Sequence, residues 1–478
     1  MQQQLKFTKH IILVVVLACL AGCKPDEFTM NGNDKLSIST DTILFDTILS
    51  QKYTGTPKSV NRQFIVRNPH NKKVKTTINL ALGSKSAFRL NVDGDPGINF
   101  DNIEIRANDS IYVFVEAYAQ PNFDPAGNPV ILRDSIVFNT NGNRQDVKLV
   151  AWGQDAYYYY MDSTSTDVVW ADKTRPYVVY DYFYVKPGAT LTIKPGVNVL
   201  LAPYSRIFTE GTLKVEGTLA EPVIFEGDRT SDKHSDRYSA FKYANIPGQW
   251  LGLQFYWPSA NNVIKHARIK NGTIGVIVDS VPVVKSQPTV SIYNTYINNM
   301  SLFAIRGKTS KIYAENTVMA NCGSACVYTY QGGDYDLRHV TLIGGKSDPA
   351  LVVTNILRDN LNRILGTYPI TFTLLNSIVW GNLSSAEIGL DIDETKVIPP
   401  FAFQNSVLKT NDPGFMAPAL KNVFIDPKFK NYKSSRFDLD TLSPARNIGL
   451  ILNPPILMDY FDKIREPLPD AGAYERFD

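Results

Sequence analysis

Cysteine is scarce in this chain, with 4 in 478 residues, too few for a disulfide framework to hold the fold. There are only 5 histidines, and they are scattered. The sequence has no Walker loop, no HExxH and no GxSxG, so the usual marks of nucleotide binding, zinc proteolysis and serine-esterase chemistry are missing. Basic charge is not clustered. Lys and Arg number 49 against 46 Asp and Glu, a net charge of +3, and this gives no electrostatic footprint for a nucleic acid. No long segment carries a 3.6-residue apolar period, so helices are not the building unit.

What is present begins at the N-terminus. Lys6, Lys9 and His10 precede an apolar run over residues 11–20, about half the length that spans a bilayer as a helix. A basic start, a short apolar middle and the small residues Ala21 and Gly22 read as a secretory signal over 1–22. Leu20-Ala21-Gly22-Cys23 resembles the lipobox of bacterial lipoproteins. The resemblance implies acylation of Cys23, a lipid anchor in a membrane and a tether over 23–34. Lys24-Pro25-Asp26-Glu27 looks like the acidic tag that sends some Gram-negative lipoproteins to the outer face of the outer membrane. The implied location is therefore the cell surface, with the periplasmic face as the alternative.

Short alternating runs rich in Val, Ile, Thr, Tyr and Phe, broken by Asn, Gly, Pro and Asp, predict an all-β chain. Residues 35–155 offer strands at 36–49, 62–67, 75–82, 103–105, 111–118, 134–139 and 145–152. Such spacing fits an immunoglobulin-like sandwich, and Phe64-Ile65-Val66-Arg67-Asn68-Pro69 resembles bacterial Ig-like domains that precede larger surface modules. Residues 156–175 read as an aromatic linker or cap.

From Tyr184 the pattern changes to strands of three to five residues between glycine corners at 188, 196, 211 and 217. This passage resembles the opening coils of right-handed parallel β-helix proteins, which places a solenoid over 176–420. Internal repeats support it. Segments starting at His266, Asn294, Asn316, His339, Asn376 and Asn405 lie 28, 22, 23, 37 and 29 residues apart. Their alignment predicts an internal apolar column of Ile269, Ile297, Met319, Leu342, Val379 and Leu408. It also predicts a corner column of Asn and His, with side-chain amides bonding from rung to rung. Ser443-Pro444-Ala445-Arg446-Asn447-Ile448-Gly449 and Pro469-Asp470-Ala471-Gly472-Ala473-Tyr474-Glu475 resemble the closing segments of a bacterial β-helix family, over 421–478. That family has D-x-x-G-x-x-R before the second motif. Here Asp459 and Arg465 match, and Asp462 stands where glycine is usual.

Candidate chemistry is sparse. Many β-helices are polysaccharide lyases or hydrolases, and a lyase needs a base and a cation beside the reacting carbon. Asp334, Asp336 and Arg338 share one face of a strand and are the candidate catalytic set. One inferred period earlier stand Lys311 and Glu315, which would pair with Asp334 and Arg338 and turn the patch into a register ladder. No metal site is expected, and calcium enters only with the lyase reading. The aromatic candidates are Tyr157, Tyr158, Tyr159, Tyr160 and Trp257, readable as rings for a glycan or as a cap on the first coil. Cys322 and Cys326 read as core thiols. Asp-Ser/Thr triplets at Asp41, Asp46, Asp109, Asp134, Asp162, Asp279 and Asp440 resemble an O-glycosylation sequon of some Gram-negative bacteria. The reading that results is a surface lipoprotein acting as a non-catalytic glycan- or envelope-binding scaffold, with a lyase or hydrolase and a protein adhesin as rivals. Its partners are a membrane through Cys23 and a polysaccharide, with no nucleic acid and no nucleotide.

Overall fold

The computed structural model describes residues 27–50, 61–119, 126–228, 245–279, 287–345 and 347–476. The signal segment, Cys23 and most of the acidic tag lie outside the described residues. The chain divides into two compact units, one ending at Gln154 and one beginning at Asp155, with residues 126–128 belonging to the second.

In the first unit, period-two alternation does the work. Arg62–Arg67 buries Phe64 and Val66 and turns its other residues out. One sheet runs in the order Ser37–Ile38, Arg62–Arg67, Ser110–Ala117, Phe88–Val92, Asp95–Gly97. The other runs Thr42–Leu49, Asn143–Gln154, Val130–Thr140, Val74–Leu80, Asn99–Ile105. All pairings are antiparallel except that of Thr42–Leu49 with Asn143–Gln154. Phe45, Phe64, Ile78, Phe88, Val113, Phe138 and Leu149 fill one shared core. The tight hairpin at Asn141-Gly142 uses left-handed backbone at both residues, φ 50° and 86°, the conformation that Asn-Gly supplies. The run over 36–49 proves to be two strands in different sheets. The hairpin of Phe88–Val92 with Asp95–Gly97 was not anticipated.

The second unit is a right-handed parallel β-helix. Among the described residues, 24 of its strands form one continuous parallel ladder, and two antiparallel pairs stand outside it. The apolar column is as expected: Ile269, Ile297, Met319, Leu342, Val379 and Leu408 pair in succession, and every one is fully buried. It extends upstream through Phe225, Val199 and Tyr177 to Tyr157. The corner column is also in place. His266, Asn294, Asn316, His339, Asn376 and Asn405 all have left-handed φ between 45° and 51°, which asparagine tolerates better than most residues.

Two expectations need correction. Residues 156–175 are no mere linker, because Tyr157–Thr164 is the first strand of the ladder and pairs in parallel with Tyr177–Val185. The corner amides, moreover, mostly do not bond to one another. Asn294, Asn316, Asn376 and Asn405 donate to the backbone carbonyls of Asp459, Met458, Leu450 and Ile448, at 2.7–2.9 Å. Only Asn376 and His339 share a bond along the column, at 2.9 Å. The acceptors belong to the C-terminal segment. That segment first extends the last coil, with Leu408 N donating to Val423 O at 2.8 Å. It then runs back along the asparagine corner as a strap. A residue turning through αL leaves its side chain at the outer corner, and a strap with unpaired carbonyls satisfies it there.

The strap is clasped by the residues that carry the C-terminal resemblance. Arg465 donates to Glu475 at 2.8 Å and to Asn316 Oδ1 at 2.8 Å. The Asp459 carboxylate accepts from the backbone N–H groups of Phe461, Lys463 and Glu475. Asp462 adopts φ 55°, a left-handed backbone that glycine takes at the least cost.

Candidate functional site

The charged patch sits on the strand Val327–Arg338. As expected, Lys311 Nζ reaches Asp334 across one rung at 2.8 Å. The second expected pair does not form. Arg338 turns to its own strand and holds Asp336 in a fork, Nε to Oδ1 at 2.9 Å and Nη2 to Oδ2 at 2.8 Å. Glu315 instead accepts the hydroxyl of Tyr313, whose ring lies under the Arg338 guanidinium at 5.7 Å. The reason is geometric: residues two apart on one face reach each other as readily as residues on neighbouring rungs. Burial raises the Glu315 carboxyl above the usual carboxylate range, against the pull of Tyr313 and Arg338. Asp334 and Asp336 are thus compensated anions.

The four consecutive tyrosines divide by face. Tyr157 stacks on Tyr177 with centroids 4.9 Å apart, and Tyr159 stacks on Trp170 at 5.0 Å and meets Phe183 edge-on at 5.0 Å. Tyr159 continues the interior aromatic column of the first coil, whereas Tyr157 covers Tyr177 with its own ring partly exposed. Tyr158 stacks on Tyr180 at 6.3 Å, and Tyr160 is exposed. Trp257 is half exposed, whereas Phe255 before it is fully buried. Cys322 and Cys326 are buried free thiols in the core. No group of three or more His, Cys, Asp or Glu that could hold a metal occurs among the described residues. Several triplet aspartates cap the next residue's N–H, as at Ser110, Ser135 and Ser163, a local strand-edge role.

A more extended feature lies on the outward face of the sheet that contains Tyr184. One register column runs Tyr184, Phe208, Gln254, Ile277, Arg306, Tyr328, Val352, Gly389. The adjacent column, two residues on, runs Tyr256, Asp279, Lys308, Tyr330. The intervening residues, such as Phe183, Ile207, Phe255, Val278 and Ile305, fill the core, so alternation turns both columns outward. Seven inter-strand steps of about 4.8 Å give the strip a length of roughly 34 Å. Gln254 and Ile277 form its buried floor. Rings stand on either side: Tyr184 stacks on Phe208 at 4.4 Å, and Tyr328 on Phe303 at 4.9 Å. Tyr184 is fixed by its hydroxyl to Glu210 at 2.6 Å, and Tyr256 by its hydroxyl to Gln254 at 3.0 Å. Between the rings Arg306 Nη2 binds Asp279 Oδ2 at 2.7 Å. Asp279 Oδ1 and Arg306 Nε have no partner, and Lys308 makes no ion pair among the described residues. Burial first, then the Asp279 charge, raises the Tyr256 hydroxyl above its ordinary value, so it stays protonated at neutral pH. Half-buried rings with polar groups between them can stack on sugar faces and bind sugar hydroxyls. The sequence points to Trp257, next to Tyr256, but not to the strip. Its signal was present as aromatic residues recurring at one register position, obscured by insertions between rungs.

No protein-family model matches this chain, and no curated protein does. Solved structures align only loosely. The catalytic unit of a GH87 α-1,3-glucanase from Streptomyces thermodiastaticus is 8% identical over 73% of this chain and 74% of its own length, with a TM-score of 0.30. The YadV chaperone is 11% identical over 24% of this chain, which spans 50% of the chaperone, with a TM-score of 0.17. A family 123 glycoside hydrolase from Clostridium perfringens is 7% identical over 27% of this chain and 30% of its own, with a TM-score of 0.18. Function is therefore argued from the site.

Proposed function

We propose that this chain is a cell-envelope lipoprotein, lipid-anchored through Cys23 at the bacterial surface. An immunoglobulin-like sandwich acts as its spacer, and the β-helix binds an extended polysaccharide without cutting it. The observation that carries this reading is the two-column strip. Rings at Tyr184, Phe208, Tyr256, Tyr328 and Tyr330 flank Asp279, Arg306 and Lys308 along successive rungs. A polymer with a regular repeat suits a surface with a regular repeat, and each stacked ring adds contact that the next sugar can repeat. Engagement of Asp334 by Lys311 and of Asp336 by Arg338 supports binding over catalysis, because a general base needs a carboxylate oxygen free to reach the substrate. The test is a glycan array probed with the lipid-free mature chain. Binding to at least one polysaccharide, weakened in Tyr256→Ala/Tyr328→Ala, is the expected result; a blank array sinks the reading.

One observation favours a second reading, a glycosidase or lyase. Glu315, with its burial-raised carboxyl, stands one rung from Arg338, which holds Asp336, and a carboxyl with a raised pKa near a second carboxylate is what acid-base cleavage of a glycosidic bond requires. Release of reducing ends or unsaturated product from a polysaccharide, abolished in Glu315→Gln, would establish that reading instead.

A further inference from the structure

The sandwich carries a cleft of about 720 Å³ on the outward face of its first sheet, lined by Asn61, Arg89, Asn91, Phe114, Glu116 and Tyr118 among others. Strand alternation builds it. Phe88, Leu90, Val113 and Val115 point into the core, so Arg89, Asn91, Phe114 and Glu116 point out. In the antiparallel register Asn91 faces Phe114 and Arg89 faces Glu116.

Opposite charges in directly facing positions ordinarily pair. Here they do not: among the described residues no ion pair joins Arg89 to Glu116. Arg89 Nη1 donates to the carbonyls of Ser86 and Phe88, at 2.9 and 2.7 Å. Glu116 Oε2 accepts the Tyr118 hydroxyl at 2.6 Å. Burial first, and the bond to Glu116 second, push that hydroxyl up to about 12, so it remains a donor at neutral pH. The guanidinium lies 5.8 Å from the Tyr118 ring. Each charged head is thus fixed by its own partner, and Glu116 Oε1 and Arg89 Nη2 are left without hydrogen-bond partners among the described residues. The half-buried Phe114 ring stands next along the strand, braced against Tyr112 at 6.4 Å.

A fixed acceptor and a fixed donor of cancelling charge beside an aromatic face suit a ligand that both donates and accepts. An anion would meet Glu116 and a cation would meet Arg89, whereas adjacent hydroxyls on a sugar satisfy both. We propose that this cleft binds a neutral saccharide unit, stacked on Phe114 with its hydroxyls bridging Arg89 and Glu116. The sandwich is then a second glycan-binding site, independent of the strip on the β-helix.

The test uses the full mature chain carrying Tyr256→Ala/Tyr328→Ala, which disables the strip, titrated with cellohexaose, xylohexaose, mannohexaose and maltohexaose. The proposal expects saturable binding of at least one probe, weakened about tenfold or more by adding Glu116→Gln, as loss of a bond to a charged acceptor implies. Phe114→Ala should weaken it similarly with an unchanged unfolding midpoint; if that variant misfolds, Glu116→Gln decides. The absence of saturable binding by every probe, or binding unchanged in Glu116→Gln, overturns the cleft. Because the strip is already disabled, neither result bears on the strip itself.

Discussion

In the sandwich each buried side chain meets different neighbours, whereas in the β-helix it meets its own equivalent one rung away. Phe64 packs edge-on against Phe138 at 6.2 Å, and Phe45 packs on Phe88 at 5.7 Å, contacts between strands far apart in sequence. Met319 lies between Ile297 and Leu342, contacts of one coil's length. The first arrangement leaves its outward faces irregular, so a ligand site there is a local cleft. The second repeats its outward face as well as its core, so a ligand site there is a strip. A solenoid also depends on nearest-neighbour terms, and here the strap adds a long-range term that bonds several rungs at once.

Four substitutions and one titration sharpen this contrast, taken from the largest effect down. Arg465→Ala leaves Glu475 buried without its partner and unfastens the strap. Breaking a buried pair in this way costs roughly 3–5 kcal/mol, to be read in denaturant melts as loss of the β-helix transition with the sandwich transition unmoved. Equal loss in both units would break the comparison. Leu342→Ala opens the internal column at one rung and costs roughly 2–4 kcal/mol. Asn316→Ala removes bonds to Met458 and Arg465 and strains a left-handed residue, for about 2 kcal/mol. The titration concerns His339. Burial holds its imidazole well below the ordinary histidine range. The unfolded chain therefore takes up a proton below about pH 6.5 that the folded chain refuses. Stability of the β-helix is complete above that pH and declines by up to about 1.4 kcal/mol per unit as the pH falls below it. His339→Asn keeps a residue suited to φ 49° and should abolish that part of the slope; an unchanged slope assigns it elsewhere. The smallest effect belongs to Lys311→Ala. It removes a partly exposed rung-to-rung pair with Asp334 and should shift stability by less than about 1 kcal/mol.

Legibility followed the same contrast. The coils were readable because one backbone demand, a left-handed corner, recurs and selects Asn at Asn294, Asn316, Asn376 and Asn405, while the aligned position three residues later stays apolar. The hairpin at Phe88–Val92 carries a short signal, alternation of Phe88, Leu90 and Val92 before Asp93-Gly94 with φ 51° and 102°, which is weak beside the longer apolar runs around it. The path of the strap was not readable, because its backbone carbonyls receive the corner amides and carbonyls leave no trace in residue type. The partner of Arg338 was likewise not readable: register puts Glu315 beside it, and only side-chain geometry selects Asp336. The strip on the β-helix was legible only as fragments, since insertions of unequal length hide which aromatic residues share a column.

The most direct test of the account is the dependence of binding on ligand length. With the array's preferred polysaccharide cut into a series from one to ten sugars, affinity for the β-helix strip should rise stepwise as each added sugar reaches another rung. It should level off once the chain spans the distance from Tyr184 to Tyr330, and the rise should flatten in Tyr256→Ala/Tyr328→Ala. A single sugar binding as tightly as a ten-sugar chain would contradict the claim that stacked coils present a repeating surface to an extended polymer.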